Sequence, residues 1–137
     1  MRKTAVAVQK PALANVDLRA DVVATIQTEP PVSNFGKYNP YSNMGKPLKV
    51  TATVENAGIT KADKVAIGVF FSRMPGVPMK QNAWEYHYVV DLGPGEVVSY
   101  PFDILFHSTM VTFTVNGEFA GDEKNKGNNT SQLYVKF

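Results

Sequence analysis

Few side chains in this sequence could carry acid–base or metal chemistry. The two histidines are His87 and His107, and either could join Asp91 or Asp103 in a metal site or an acid–base pair. Neither a Gly-x-Ser-x-Gly nor a His-x-x-x-His spacing accompanies them, and the chain has no cysteine to act as nucleophile or thiolate ligand. We therefore predict no catalytic residue, no cofactor and two half-exposed histidines on strands.

One polar stretch, Asp122 to Asn129, has a glycine at the position that a calcium loop requires. Such a loop places oxygen ligands at alternating positions, with glycine at the sixth. Counted from Asp122, Gly127 does fall at the sixth position, but the third and fifth are Lys124 and Lys126. Because two ammonium groups at ligand positions oppose a dication, we predict no metal site.

Three aromatic residues at alternate positions, Trp84, Tyr86 and Tyr88, share one face of a predicted strand. A flat row of rings could stack on the faces of sugars, which is one alternative for this surface. Aromatic rings also dominate protein cores, so a layer between two sheets is the favoured interpretation.

A second aromatic group lies in a proline-rich stretch, residues 29–47, where no strand is predicted. Phe35, Tyr38 and Tyr41 occur there, and tyrosine-rich loops supply contact area at low entropic cost. We expect these three rings to form a protein-contact surface, with packing against the edge of the domain as the alternative.

The first twenty residues are basic and lack a periodic pattern. Their net charge is +3, compared with +2 for the whole chain. The segment contains one acidic residue, Asp17, and four basic ones, Arg2, Lys3, Lys10 and Arg19. We interpret residues 1–20 as an N-terminal arm that docks on a protein partner. The overall charge is too mild to predict nucleic-acid binding.

The elements that must position these groups are strands. Apolar and polar residues alternate with period two, as in Leu48 to Val54, and no helical period of useful length is present. Turn residues such as Gly93-Pro94-Gly95 separate the runs. The seven predicted strands are Asp21–Thr28, Leu48–Val54, Val65–Phe71, Trp84–Val90, Val97–Leu105, Val111–Phe119 and Gln132–Phe137. At 137 residues the chain is one domain, and the pattern predicts an all-β, immunoglobulin-like antiparallel β-sandwich over residues 21–137.

Within this frame, four motifs together resemble the CARDB family, the cell-adhesion-related domain found in bacteria. They are the strand ending in Asn56-Ala57-Gly58, the buried strand Val65–Phe71, the turn Asp91–Gly95, and Asn125 with the pair Asn128-Asn129. The resemblance covers roughly residues 20–137. It implies an immunoglobulin-like β-sandwich without catalysis, and modules that are commonly extracellular. Each motif is also explained by turn chemistry alone: glycine tolerates positive φ, and asparagine bonds nearby backbone.

The apolar residues near the N-terminus bear on location. The apolar stretch Thr4 to Val8 is shorter than the seven to fifteen residues of a secretion signal, and no stretch reaches the length of a membrane span. We therefore expect a protein made in the cytoplasm without a signal peptide, with no membrane partner.

Three functions follow as hypotheses. The first is a bacteriophage virion accessory protein that decorates the capsid and docks, through its arm and loops, on capsid or other virion subunits or on itself. The second is a bacterial cell-surface adhesion module. The third is a carbohydrate-binding module using Trp84, Tyr86 and Tyr88.

Overall fold

Two β-sheets packed face to face make up the domain. The computed structural model describes residues 17–39, 42–73, 83–105 and 110–137. One sheet has the order β1 (Val22–Glu29), β3 (Leu48–Asn56), β6 (Val97–Ile104). The other has the order β2 (Gly36–Lys37), β8 (Thr130–Lys136), β7 (Met110–Glu118), β4 (Ala62–Arg73), β5 (Ala83–Leu92). The predicted all-β sandwich is confirmed, with the seven predicted strands and a short eighth, β2.

Alternation along the strands builds the core. Leu48, Val50, Ala52 and Val54 are buried on β3, whereas the neighbouring Lys49 is exposed. The same period buries valine and phenylalanine side chains of β7 from the opposite sheet. Each fully buried side chain of this size contributes about 1.5–3 kcal/mol relative to exposure. A one-residue slip of register would turn these side chains to solvent, so the pattern also specifies the pairing.

The continuous apolar run from Val65 to Phe71 lies in β4, between β5 and β7. A continuous apolar run of this kind predicts a central strand with both faces covered. The central position is confirmed, but the cover on both faces is not, because Ala66 is exposed and Phe70 is half-buried. The outer face of this sheet has no second layer over it in the described chain, and the small Ala66 tolerates that exposure.

Pro101 lies in β6, which pairs with β3 alone among the described strands. Proline cannot donate to a ladder, and it is tolerated where one side of the strand has no partner. A proline within a predicted strand indicates an edge or a bulge, and the structure shows the edge.

The stretch from residue 29 to residue 47, predicted to be without structure, contains β2. Gly36 and Lys37 pair in parallel with Val135 and Lys136 of β8. The amide of Phe35 also donates to the carbonyl of Tyr134 at 2.7 Å, and that of Tyr38 to Lys136 at 2.8 Å. Two residues are too few for a readable period, which is why the sequence pattern did not reveal this strand.

None of the described residues forms a helix that is long and apolar enough to cross a membrane.

Candidate interaction surfaces

The root of the N-terminal arm is seated on the sandwich. Ala20 is buried and forms a parallel bridge with Glu123, and its carbonyl accepts from the Lys124 amide at 2.9 Å. The Thr60 hydroxyl donates to the carbonyl of Leu18. Residues 17–20, which the sequence analysis assigned to the arm, therefore pack as part of the domain. Arg2, Lys3 and Lys10 lie outside the described residues.

Arg19, predicted to bind a partner, makes its described contacts within the chain. Its guanidinium reaches Asp17 at 2.8 Å and Asp122 at 3.1 Å. The hydrogen bond from Arg19 lowers the pKa of Asp17 to about 2, and the two carboxylates raise the pKa of Arg19. All three side chains are solvent-accessible, so the cluster orients the chain at the exit of the arm more than it stabilises the fold.

Behind the arm root, the fully buried Asn56 joins three segments. Its Oδ1 accepts from the amides of Asp21 at 3.1 Å and Gly58 at 3.0 Å. Its Nδ2 donates to the carbonyls of Thr60 at 2.7 Å and Leu92 at 3.1 Å. The turn motif at Asn56 therefore does more than close one strand, because it satisfies backbone groups from before β1, from the β3–β4 turn and from β5.

Gly58 has a different role from the one predicted. Its φ is not among the positive values, which among the described glycines belong to Gly45 and Gly95. A Cβ at Gly58 would lie 2.3 Å from the carbonyl oxygen of Arg19 and 2.7 Å from Cα of Ala20. Close passage of the arm root, rather than a left-handed backbone, requires glycine here.

The loop considered for calcium directs its carboxylates into protein hydrogen bonds. Glu123 is buried, and it accepts from the Val22 amide at 2.9 Å and from Asn129 Nδ2 at 2.8 Å. Asn128 Nδ2 donates to Asp21 at 3.1 Å. The Asn128-Asn129 side chains thus bond carboxylates, and not the backbone of the last hairpin as predicted.

The three loop aromatics do not form one surface. Tyr38 is 3 % exposed, its hydroxyl donates to the carbonyl of Lys46 at 2.8 Å, and its ring packs edge-on against Phe137. Tyr38 is therefore a core residue, and the expectation that it contacts a partner is wrong because its ring has no accessible face. Phe35 is 54 % exposed and stacks on Tyr134 with the two rings 4.9 Å apart. Tyr41 lies outside the described residues.

An aromatic cleft opens between the edge strands of the two sheets, β5 and β6. Tyr86 contacts Phe102 with ring centres 5.0 Å apart, and Phe71 lies beneath both rings. Trp84 is 38 % and Tyr86 40 % exposed, so the predicted layer between the sheets forms but its rings remain accessible. The cleft encloses about 310 Å³ and is lined by Phe71, Trp84, Tyr86, Phe102, Asp103, Ile104 and Leu105.

Tyr88, the third ring of the predicted row, closes the inner end of this layer. It stacks on Tyr100 of β6 with ring centres 3.9 Å apart and an angle of 11° between the planes. Burial raises the pKa of Tyr100. Tyr88 consequently packs across the sandwich, and Trp84 and Tyr86 are the two more exposed rings, at the mouth of the cleft.

The structure does not bring the predicted acid–base candidates together. His87 lies on the outer face of β5, where its ring contacts Glu85 at 3.4 Å and the edge of Phe70. Asp91 accepts from the Lys64 amide at 2.8 Å, and Asp103 lines the cleft on the other sheet. His107 lies outside the described residues.

Phe102, Asp103 and Tyr134 were missed as surface residues by the sequence analysis. The period of two does place Tyr100, Phe102 and Ile104 on one face of β6. Which strand of the other sheet that face meets is decided by strand order, and no local pattern encodes it.

No family model matches the chain, and no curated protein matches it. Among solved structures, the chain is similar to the crystal structure of the CARDB domain of a Pyrococcus furiosus protein in complex with di-metal ions. The two chains are 16 % identical, with a TM-score of 0.59, and the match covers 90 % of this chain and 94 % of that chain. The fold is therefore CARDB-like, as the motif resemblance predicted.

The side chains described here do not fit a centre for two metal ions. Across the described ranges, no group of three or more histidine, aspartate or glutamate side chains converges. Asn128 and Asn129 each bury an Oδ1 atom without a hydrogen-bond partner, but their amide nitrogens already hold the nearby carboxylates of Asp21 and Glu123. Two separately engaged carboxylates fall short of the ligand set that two cations require.

Proposed function

We propose that this protein is a non-enzymatic structural subunit that docks on a larger protein assembly through its N-terminal arm. The observation that carries the proposal is the seated arm root: Ala20 is buried and Arg19 is tied to Asp122. Residue 17 is therefore held at one defined place on the sandwich, where the neighbouring Leu18 side chain is exposed. Arg2, Lys3 and Lys10 belong to residues 1–16, which contain no acid.

The assembly that we favour is a bacteriophage virion, with the protein as a capsid-decorating accessory on its exterior. A rigid sandwich with one basic arm suits attachment to a repeating lattice, because many weak contacts there act together. The exposed Phe35–Tyr134 stack supplies an additional contact surface.

The test is co-sedimentation of the full chain with virions from which the bound protein has been stripped. The unmodified chain is expected to sediment with the particles and to be released as the salt concentration rises, since exposed charge contacts are screened over about 8 Å at 0.15 M. The triple variant Arg2→Glu, Lys3→Glu, Lys10→Glu is expected to stay in the supernatant.

A matched triple variant on exposed lysines of the domain, Lys46→Glu, Lys64→Glu, Lys126→Glu, controls for net charge. It should sediment like the unmodified chain. Equal sedimentation of the arm variant would contradict docking through the arm. An antibody signal confined to intact cells, with none on virions, would favour the alternative of a cell-surface adhesion module, which the CARDB-like fold supports.

A carbohydrate-binding role is a second candidate, favoured by the aromatic cleft. Trp84 and Tyr86 offer stacking faces there, and the carboxylate of Asp103 could accept sugar hydroxyl hydrogens. Glycan binding that disappears in Trp84→Ala while the circular dichroism spectrum is unchanged would support it.

A further inference from the structure

Strand β5 is the edge of its sheet among the described strands. It runs for ten residues, Ala83–Leu92, and within the described chain it pairs with β4 alone. Four successive side chains, from Trp84 to His87, are exposed on both faces of the strand, and Val89 is 69 % exposed. An edge of this length presents a row of backbone donors and acceptors on which another strand can pair.

The other three edges carry features that discourage pairing. Pro101 interrupts β6, and β2 has two residues. The exposed side chains of β1 are the polar Thr25, Gln27 and Glu29. Strand β5 contains no proline, lysine or glycine, and half of its six exposed residues are apolar or aromatic, namely Trp84, Tyr86 and Val89. Of the four edges, β5 is the one best suited to accept a partner strand.

The sequence of β5 is complementary to itself. When two identical strands pair antiparallel about a two-fold axis, residues that lie opposite each other must point to the same face of the sheet. Odd-numbered residues therefore lie opposite odd-numbered ones and even opposite even, so the axis passes at a residue. With the axis at Tyr86, Glu85 lies opposite His87 of the other copy, and this pair occurs twice. Moving the axis to residue 85 or 87 places Glu85 against Glu85 or His87 against His87, and like groups directly opposite are unfavourable.

A fourth register, with the axis at Val89, would pair His87 with Asp91. That carboxylate already accepts the Lys64 amide at the bulge where β4 and β5 lose register. The axis at Tyr86 also joins the clefts of the two copies, because Trp84 then lies opposite Tyr88. The axis at Tyr86 thus pairs Glu85 with His87 twice and Trp84 with Tyr88 twice across the junction.

We propose that two copies of this chain associate through antiparallel pairing of β5 with β5 about a two-fold axis at Tyr86, making one continuous ten-stranded sheet. The partner is a second copy of the same chain. This interface does not involve the N-terminal arm. Its test is therefore independent of the test of the function proposed above.

Disulfide trapping tests the register directly, since the chain has no cysteine of its own. Opposed residues of an antiparallel pair have Cα atoms about 4.5–5.5 Å apart, within the span of a disulfide. Tyr86→Cys is expected to form a covalent dimer in the full chain under mild oxidation. Val89→Cys is the control, because its two copies would be roughly 20 Å apart in this register. A monomeric Tyr86→Cys, or equal cross-linking of both variants, would overturn the proposal.

Charge exchange on the outer face tests it without disturbing the core. Glu85 and His87 are both exposed there. In the His87→Glu variant, residue 87 of each copy would place a glutamate opposite Glu85 of the other copy. The dimer dissociation constant, measured by analytical ultracentrifugation, is expected to rise about ten-fold. The double variant Glu85→Lys, His87→Glu should restore the affinity, and Gln27→Glu on β1 should leave it unchanged. An unmodified chain that stays monomeric at about 1 mM, a typical limit for weak association, would overturn the proposal. A double variant whose dimer dissociation constant is no lower than that of His87→Glu would overturn it as well.

Discussion

At the scale of single residues, Asn56 is the side chain on which the most separate segments depend. Its amide is fully buried, and both of its polar atoms are shared between two backbone partners. A buried backbone group that loses its partner costs about 1–3 kcal/mol, which is more than the bond itself contributes. The side chain therefore matters chiefly through the groups that would be orphaned without it.

Replacing Asn56 with alanine is expected to lower the free energy of unfolding by at least about 3 kcal/mol, because four backbone groups lose their partner in a dry site. Urea denaturation followed by circular dichroism measures the change. The matched control is Asn125→Ala, which removes one bond, to the Gly127 amide, at an exposed turn. A loss of similar size in both variants would mean that burial of Asn56 adds nothing.

At the scale of elements, the segment before β1 and the turn after β3 are built to cross each other closely. The amide of Ala57 donates to the carbonyl of Asp21 at 2.7 Å. Gly58 lets the backbone at Arg19 and Ala20 pass without a clash. The position at which the arm leaves the sandwich is thus set by a contact between main chains.

Gly58→Ala is expected to destabilise the domain by about 1–3 kcal/mol, as overpacking of a tight site does, and to speed proteolysis at residues 17–20. Thermal unfolding and limited digestion of the full chain measure both effects. Gly127→Ala is the control, since its Cβ would meet a single side-chain oxygen at 3.1 Å. Faster cleavage in Gly127→Ala as well would argue against a specific effect at the arm root.

At the scale of the whole molecule, residues 17–20 should behave as part of the domain. Deletion of residues 1–16 keeps buried Ala20 and its backbone contacts, and is expected to change the free energy of unfolding less than deletion of residues 1–20 does. Deletion of residues 1–20 removes buried Ala20 and the hydrogen bond of its carbonyl with the Lys124 amide, and is expected to cost at least about 2 kcal/mol. Denaturation of both products checks this, and equal stability of the two would restore the boundary at residue 20.

Much of the fold is determined locally. The alternation in β3 and β7 makes one face of each strand apolar, and burial of that face requires a second sheet. Pro101 indicates an edge or a bulge in β6. For these reasons the seven main strands, their faces and the sandwich architecture were predictable from the order of the amino acids.

The surfaces were decided by tertiary structure. Tyr38 and Phe35 stand three residues apart in the same loop, yet one ring is in the core and the other is exposed. Pairing of that loop with β8, one hundred residues further along the chain, separates them. The aromatic cleft likewise forms only because β5 and β6, the edge strands of the two sheets, lie on the same side of the sandwich. The alternation of apolar residues and the chemistry of turns act over a few residues, so the sequence by itself determined the strands and the two-sheet architecture. Strand order results from packing all the strands at once, so only the tertiary structure decided which side chains form the surfaces.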